Sequence, residues 1–415
     1  MQDNEKKPAL RFKGFTDPWE QRKLGEIAVF SKGVGYSKND LCEEGTPIIL
    51  YGRLYTKYET CIFDVDTFVK EKAGSVYSKG GEVIVPASGE TAEDISIASV
   101  VVKPGILLGG DLNIVSPTAE YDSAFLALTI SSGATHKYLS SLAQGKSVVH
   151  LHNADIQSVS AKFPTKREQE KIHLLFGKID TLITLHQRKY EKLVNIKKSM
   201  LDKMFPQNGV SVPEIRFKGF TDPWEQRKLG DAFERVVRKN TNNESRLPLT
   251  ISAQDGLVDQ ITYFNNRVAS RDVSNYYLVY NGEFAYNKST SDGYPFGAVK
   301  RLDWYEKGVL STLYIVFALK HPEKDDSDFM TVFYDTDRWH RGVAERAAEG
   351  ARNHGLLNIS ADDFFDIDTT MPEDKVEQEK IGRILKKLDT LITLHQRKLE
   401  KLQNIKKSCL EKMFV

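Results

Sequence analysis

The chain has 415 residues, of which 40% are hydrophobic and 28% are charged, and its formal net charge is +1. This length exceeds what one hydrophobic core usually serves, so we expect two or more domains in a globular protein of ordinary composition. The sequence has no apolar run of about 18 residues, no signal-peptide core and no CxxC spacing, so we expect a cytoplasmic protein with free thiols and without a membrane span, disulfide or zinc site.

The segment RFKGFTDPWEQRKLG, at residues 11–25, is the first element with a clear pattern. It predicts an extended entry followed by a short helix, which Asp17 caps, Pro18 begins and Gly25 ends. Trp19 within this segment is more typical of a packing anchor than of a ligand.

Short apolar runs between glycines follow and predict β-strands. These runs are GTPIILYG (45–52), GEVIVPAS (81–88) and ASVVVKPGILLGG (98–110). Asp111, which follows the last run, is more typical of a turn than of a cofactor loop. This part of the chain is therefore predicted to be a mixed α/β domain.

One long helix is predicted next, from Lys166 to Phe205, because no proline or β-branched run interrupts its pattern. Thr165 and Glu168 form a capping box at its start. Such a helix is about 60 Å long. Its apolar positions form a seam of the coiled-coil type that needs a partner helix. The seam comprises Ile172, Phe176, Ile179, Leu182, Ile183, His186, Leu193, Ile196 and Met200.

Both segments return in the second half of the chain. The opening segment recurs unchanged at residues 216–230, with Trp224 in place of Trp19, and residues 179–205 recur with few changes at residues 388–414. The second helix has its own cap, formed by Asp374 and Glu377. Its spine is Ile381, Leu388, His395, Leu402 and Cys409.

The segments between these repeats differ. Residues 26–150 and 231–355 show no obvious similarity, although NYYLVYNGEFAYNKS (275–289) and VLSTLYIVFAL (309–319) again predict strands. An internal repeat of this kind predicts one constant frame that carries two different domains.

We therefore predict an α+β fold with an internal pseudo-two-fold repeat, in which two mixed α/β domains are separated by two long antiparallel coiled-coil helices. The predicted bounds are 1–163 and 207–372 for the domains, and 164–206 and 373–415 for the helices.

The predicted midpoints of the helices lie beside His186 and His395, so a symmetrical pair would bring these histidines together and use them to fix its register. The alternative is that each histidine fills a local packing gap.

The repeated frame resembles the specificity subunit of type I restriction-modification systems, the HsdS family. The resemblance covers nearly the whole chain. It rests on the WEQRKLG opening of each half, the FPTKREQEKI and MPEDKVEQEKI entries to the long helices, and the IDTLITLHQRK helix with its KKSMLDKMF ending. It implies two target-recognition domains, each of which reads one half of a split DNA site, and two conserved helices that separate them.

The resemblance also implies the partners and their cofactors. Two modification subunits would use S-adenosylmethionine to methylate adenine, and restriction subunits would use ATP and Mg for translocation and cleavage. This chain would bind double-stranded DNA and no cofactor of its own.

Candidate DNA-contacting loops follow from composition, since Gly, Tyr, Ser, Asn and basic residues suit phosphates and base edges. In the first domain the loops are GVGYSKND (33–40), YGRLYTKYE (51–59) and QGKSVVHLHN (144–153), and in the second they are AYNKSTSDGYPFG (285–297) and ERAAEGARNHG (345–355). For any single residue, a purely structural role stays open. The candidate residues are Tyr36, Lys38, Arg53, Tyr55, Lys57, Lys146, Ser147, Tyr286, Asn287, Lys288, Ser289, Arg352, Asn353 and His354.

Charge is unevenly distributed, because the two long helices are net basic and the rest of the chain is net acidic. We therefore expect partner subunits to supply further phosphate contacts.

No catalytic arrangement is predicted. The sequence has neither a GxxxxGK[ST] phosphate loop nor the Asn-Pro-Pro-aromatic run of adenine methyltransferases, and its nine histidines show no metal spacing. Carboxylates such as Glu373, Asp374 and Glu377 are better explained as caps and exposed flanks. The alternative function is a non-catalytic scaffold whose two variable domains bind proteins.

Overall fold

The computed structural model describes residues 7–145, 147–207, 209–252, 255–291, 293–347 and 355–414. The chain divides into two compact units, Met1–Arg188 with Gln396–Val415 (unit 1) and Lys189–His395 (unit 2). Each unit combines a sheet-containing domain with a part of each long helix. The four segment bounds given by the sequence stay predictions, because this division follows packing and not chain order.

Unit 1 contains a central five-stranded sheet in the order β2-β11-β7-β9-β5, a four-stranded sheet in the order β10-β4-β6-β3, and the two-stranded pairs β1-β13 and β8-β12. The strands are β1 (Glu20–Lys23), β2 (Ala28–Lys32), β3 (Leu41–Cys42), β4 (Thr46–Ile49), β5 (Cys61–Ile62), β6 (Phe68–Val69), β7 (Glu82–Pro86), β8 (Ser88–Gly89), β9 (Ser99–Val101), β10 (Leu107–Leu108), β11 (Leu112–Pro117), β12 (Val149–His150) and β13 (Ser160–Phe163). The helices are α1 (Leu24–Ile27), α2 (Arg53–Thr56), α3 (Ala92–Ile95), α4 (Ser123–Ile130), α5 (Gly133–Leu142), α6 (Asn153–Ser158) and α7 (Lys166–Lys203), of which α7 continues into unit 2.

Unit 2 contains a four-stranded sheet in the order β15-β22-β19-β20 and the pairs β14-β23, β16-β17 and β18-β21. The strands are β14 (Glu225–Lys228), β15 (Phe233–Arg235), β16 (Leu249–Ser252), β17 (Gly256–Asp259), β18 (Tyr277–Tyr280), β19 (Phe284–Asn287), β20 (Ala298–Arg301), β21 (Lys307–Leu310), β22 (Ile315–Leu319) and β23 (Asp368–Met371). The helices are α8 (Leu229–Ala232), α9 (Gln260–Phe264), α10 (Ser327–Phe333), α11 (His340–Arg346), α12 (Ala361–Phe365) and α13 (Lys375–Met413), which ends in unit 1.

Hydrophobic runs explain the central elements. Every residue of β7 is buried, because its sequence EVIVP has β-branched side chains for both faces of an inner strand. Helix α4 is buried from Ala124 to Ile130, and Asp122 caps it by accepting a hydrogen bond from the backbone NH of Phe125. The strands predicted from glycine-bounded runs are therefore confirmed in both halves.

The long helices pack against each other within each unit. In unit 1 the ring of Phe176 in α7 lies 6.0 Å from that of Phe414, just after α13, and Asp180 pairs with Lys406 at 2.5 Å. In unit 2 Lys197 of α7 pairs with Asp389 of α13 at 2.6 Å. Along unit 1 the contacts advance in α7 while they retreat in α13, so the segments are antiparallel. The predicted fold class is confirmed.

The seam of the coiled coil differs in detail from the sequence prediction. Leu182 and Ile196 are 43% and 37% exposed, whereas Ile183, Tyr190 and Lys197 are partly buried. Alternating steps of three and four residues place positions 183, 186, 190, 193 and 197 on one face, and positions 182 and 196 lie beside that face. The assignment of Leu182 and Ile196 to the seam was therefore wrong.

The opening segment also corrects a prediction. Instead of a helix that begins at Pro18, residues Glu20–Lys23 form a strand that pairs antiparallel with Ser160–Phe163, and the short helix α1 starts only at Leu24. Long-range strand pairing satisfies the backbone here and overrides the local capping pattern. Trp19 and Trp224 are each 3% exposed and act as packing anchors, as predicted.

Candidate nucleic-acid interface

Two buried ion pairs attach the opening segments to the long helices. Arg11 donates two hydrogen bonds, both of 2.7 Å, to the carboxylate of Glu168, and Arg216 binds Glu377 in the same way at 2.6 and 2.8 Å. Glu168 and Glu377 are 0% and 1% exposed. The prediction that these glutamates complete capping boxes, and that Glu377 lies on an exposed flank, was wrong because their carboxylates neutralise buried arginines instead.

The glutamine that follows each of these glutamates holds the variable domain. Gln169 accepts a hydrogen bond from the backbone NH of Asp122, and Gln378 accepts the equivalent bond from Asp326. Asp122 and Asp326 in turn cap α4 and α10. Each domain is therefore fixed to the start of a long helix by the same pair of side chains.

This junction exposes a similarity that the sequence comparison missed. Asp122-Ser123-Ala124-Phe125 and Asp326-Ser327-Asp328-Phe329 share the pattern D-S-x-F, and both phenylalanines are fully buried. The signal is short, but aligning the capped helices α4 and α10 by their distance from the long helices could have found it. The constant frame thus extends into the variable segments.

The loops predicted for DNA contact in unit 1 meet at one end of the central sheet. Loop 33–40 leaves the end of β2, and the backbone NH of Gly33 donates to Leu112 at the start of β11. At the same end β8 follows β7 and pairs with β12, which belongs to loop 144–153. The hydroxyl of Tyr55 donates to the carbonyl of Ser88 at 2.9 Å and adds loop 51–59. All three candidate loops therefore converge.

Glycines allow loop 33–40 to pack closely against the turn between β10 and β11. A side chain at Gly33 would place its Cβ 1.9 Å from the carbonyl oxygen of Gly109, and one at Gly110 would meet the carbonyl of Gly35 at 2.9 Å. Loop 33–40 and the turn at Gly109 and Gly110 are thus in backbone-to-backbone contact. Asp111, with a φ of 58°, lies in the turn that connects β10 to β11, so its interpretation as a turn residue holds.

Several candidates of unit 1 already have internal partners. Tyr36 contacts Ser75 at 2.5 Å and accepts a hydrogen bond from the NH of Lys72, while Arg53 is 9% exposed and pairs with Glu59 and Asp66. Arg53 therefore stabilises its own loop.

The remaining candidates of unit 1 differ in what surrounds them. Burial raises the pKa of Tyr55, so its hydroxyl stays a protonated donor to Ser88. Lys38 and Ser147 are exposed, Lys57 is exposed but pairs with Asp66, and Lys146 lies outside the described residues. Contact of these residues with DNA stays a prediction.

Unit 2 repeats the arrangement with other residues. The NH of Thr290, in loop 285–297, donates to the carbonyl of Gly355, the last residue of loop 345–355. Beside this contact, Ser289 forms a bridge with Leu356, and the NH of Leu357 donates to the carbonyl of Lys288. In unit 1 the NH of Leu151 donates to Ala87 in the equivalent position. The two candidate loops of unit 2 therefore also meet beside the end of the sheet.

The side chains of unit 2 divide between core and surface. Tyr286 is fully buried, and its hydroxyl donates to the carbonyl of Phe296, so it supports the strand from within. Lys288 donates to the carbonyl of Ile359, Asn287 accepts from the NH of Ser289, and Ser289 is exposed. Contact of Lys288, Asn287 and Ser289 with DNA stays a prediction. Arg352, Asn353 and His354 lie outside the described residues.

Sequence analysis did not single out several exposed side chains at these sheet ends. In unit 1 the rings of His150 and His152 stack with centroids 6.3 Å apart, and exposed Lys32 ends β2. Val34 and Val237, which follow β2 and β15, are 48% and 59% exposed. The alternating direction of side chains along a strand would identify such residues, but only once the ends of the strands are known.

Neither a metal site nor a membrane span is found in the described residues. Along the described part of the chain, no group of three or more His, Cys, Asp or Glu side chains could hold a metal ion. No helix in the same ranges is long and apolar enough to cross a membrane. An open depression lined by Arg22, Glu26, Thr118 and Tyr121 lies at the other end of the β2–β11 pair and carries charges of both signs.

Comparison with known proteins is consistent with this architecture. Residues 16–195 match the family model of the type I restriction modification DNA specificity domain. No curated protein matches the sequence significantly. Among solved structures, the S subunit of a type I restriction-modification system from M. genitalium is 15% identical with a TM-score of 0.64, and the alignment covers 99% of both chains.

Two further structures are more distant. The HsdS subunit from Thermoanaerobacter tengcongensis is 13% identical with a TM-score of 0.44, over 95% of this chain and 96% of that one. A structure described as the basis of complex assembly and conformational transition of the type I R-M system is 12% identical with a TM-score of 0.45, over 96% and 98% of the two chains.

The resemblance seen in the repeated sequence is thereby confirmed. The chain has the fold of the M. genitalium S subunit over 99% of its length, and residues 16–195 match the type I restriction modification DNA specificity domain.

Proposed function

We propose that this chain reads a split DNA site, with one half-site per unit, and positions modification and restriction subunits on that site. The observation that carries the proposal is the repeated loop junction: Ser88 with His150 in unit 1 and Ser289 with Leu356 in unit 2. The same backbone arrangement presents different side chains in the two units. A constant frame with two variable faces suits the recognition of two different half-sites.

Helix length sets the gap between the half-sites in this proposal. Helices α7 and α13 have 38 and 39 residues, about 57 to 59 Å at 1.5 Å per residue. Equivalent faces of the major groove recur about every 34 Å along DNA. Helices of this length are sufficient to span one helical turn of DNA.

Partner subunits complete the machinery. We place catalysis on them and none on this chain, with S-adenosylmethionine on two modification subunits and ATP with Mg on restriction subunits. Exposed Leu182, Leu185 and Leu394 on the long helices supply apolar surface for the modification subunits. Because the variable domains are net acidic, these subunits also add phosphate contacts.

Band-shift titration of random duplexes tests the proposal. The chain, co-expressed with its modification subunits, should select duplexes with two defined half-sites at one fixed gap, and its mass should correspond to two modification subunits per chain. A complex that binds no duplex, or binds all duplexes equally, would favour the alternative, a scaffold whose variable domains bind proteins. A stable one-to-one complex would contradict the symmetric model.

A further inference from the structure

The same ion pair joins the two long helices in each unit. Lys197 with Asp389 in unit 2, and Lys406 with Asp180 in unit 1, occupy equivalent positions of the sequence repeat. Each lysine is on the seam, with its side chain 17% or 21% exposed. Largely buried charges destabilise a helix seam unless they are paired. They therefore favour the one arrangement of the helices in which each lysine meets its aspartate.

In unit 2 the variable domain adds a charged contact to this pair. The ammonium group of Lys197 lies 2.9 Å from Asp335, just after α10, and Asp335 also binds Lys300 of β20 at 3.0 Å. Burial raises the pKa of Asp335, but the charges of Lys300 and Lys197 outweigh it and lower that pKa overall. Two lysines and two aspartates thus neutralise one another.

In unit 1 the variable domain adds neutral contacts instead. The hydroxyl of Thr60, next to β5, donates to Asp180 at 3.2 Å, and the ammonium group of Lys406 lies 6.0 Å from the ring centroid of Tyr58. Thr60 is 8% exposed. The frame supplies the same ion pair in both units, and each variable domain meets it with its own chemistry.

We propose that these ion pairs position the two recognition domains. Each pair fixes the angle between its domain and the long helices, and this angle sets the gap between the two half-sites that are read. The inference rests on the proposed function. It follows that a variable domain must carry its own matching contact: Asp335 with Lys300 in residues 231–355, and Thr60 with Tyr58 in residues 26–150.

Exchanging the charges of each pair separates this role from ordinary helix pairing. In unit 1, Asp180→Lys with Lys406→Asp restores an ion pair beside neutral neighbours, and the hydroxyl of Thr60 can accept as well as donate. In unit 2, Asp389→Lys with Lys197→Asp restores the pair but places a new carboxylate against Asp335. Like charges at this distance repel. Helix pairing alone predicts equal effects from the two exchanges.

The experiment maps methylated sites for the assembled complex and measures thermal unfolding of each full-length chain. The measured quantity is the ratio of methylation at the wild-type gap to methylation at a gap changed by one base pair. We expect the unit 1 exchange to leave this ratio at its wild-type value. The unit 2 exchange should lower that ratio about tenfold, equivalent to about 1.4 kcal/mol. Adding Asp335→Asn to the unit 2 exchange should restore the ratio, because it removes the new repulsion.

Equal ratios for the two exchanges, or no recovery with Asp335→Asn, would overturn the inference. If the unit 2 exchange does not fold, recovery of folding and of the ratio by Asp335→Asn still supports it. A wild-type complex that methylates no split site would instead overturn the proposed function. The unfolding midpoints then decide this inference alone, since equal midpoints for the two exchanges would contradict it.

Discussion

Replacing Glu168 with glutamine removes the charge that neutralises the buried guanidinium of Arg11 while keeping the size of the side chain. The Glu168 side chain is 0% exposed and that of Arg11 is 12% exposed, so little water can reach the guanidinium to replace the lost carboxylate. Glutamine keeps one acceptor oxygen, so one of the two hydrogen bonds survives. The variant isolates the charge of the pair.

The expected cost follows from burial. Removing one partner of a buried ion pair destabilises proteins by about 3–5 kcal/mol, and the surviving hydrogen bond places Glu168→Gln near about 3 kcal/mol. For a unit of roughly 200 residues this corresponds to a fall of about 6–12 °C in its unfolding midpoint. Glu377→Gln should cost a similar amount in unit 2, because Arg216 and Glu377 are 13% and 1% exposed.

Thermal unfolding followed by circular dichroism measures the size of the effect, and amide hydrogen exchange assigns it to a unit. The matched control is Glu345→Gln, since the pair of Arg341 and Glu345 is 70% and 54% exposed. Exposed pairs contribute at most about 1 kcal/mol. If Glu168→Gln lowers the midpoint no more than this control does, the buried pair does not hold the opening segment as we describe.

Three further predictions concern the helices and the thiols. Inserting one heptad after Lys189 and another after Lys398 keeps the seam in phase and lengthens the pair by about 10 Å, or about three base pairs, so mapped methylation sites should keep their half-sites with a longer gap. Methylation at the original spacing would show that the helices do not set it. His186 and His395 should lie together, so a chain with cysteine at both positions should form a disulfide on oxidation, and peptide mapping that finds no such link would contradict the symmetrical register. Burial raises the pKa of Cys61 to about 11, so its alkylation, followed by mass spectrometry, should quicken about tenfold per pH unit between pH 8 and 10. A rate independent of pH would show that its thiol is already ionised.

The long helices could be predicted because their signals are local and repeated. Lys166 and Lys375 begin α7 and α13 as the sequence indicated, and the helices end shortly before the predicted Phe205 and Phe414. An apolar period sustained over this length leaves few alternatives. The glycine-bounded strands were recognisable for the same reason.

Long-range contacts account for what the sequence did not predict. Glu168 matches a capping box, yet its carboxylate binds Arg11, far away in the chain. Glu20–Lys23 continues a plausible helix start, yet it pairs with Ser160–Phe163. Local patterns carry no information about a partner of this kind, so capping was the natural but mistaken interpretation.

The positions of the candidate loops in the fold were predicted only in part. Composition located the loops that converge on Ser88 and Ser289, but it could not separate exposed Lys38 from Arg53, which is neutralised within its own loop. Tyr286 is of a residue type that often contacts DNA, but it is fully buried in the core. Whether a side chain is buried depends on which strands are neighbours in the sheet, and strand order is known only from the structure.

Exchange of one variable segment tests the central claim most directly. Residues 26–150, which contain the loop junction around Ser88 and the positioning contacts of Thr60 and Tyr58, would be replaced by the equivalent segment of a relative with a different site. Methylation mapping of the assembled complex should then show one new half-site, with the other half-site and the gap unchanged. A change in both half-sites would contradict the account, because the two units would then read DNA jointly.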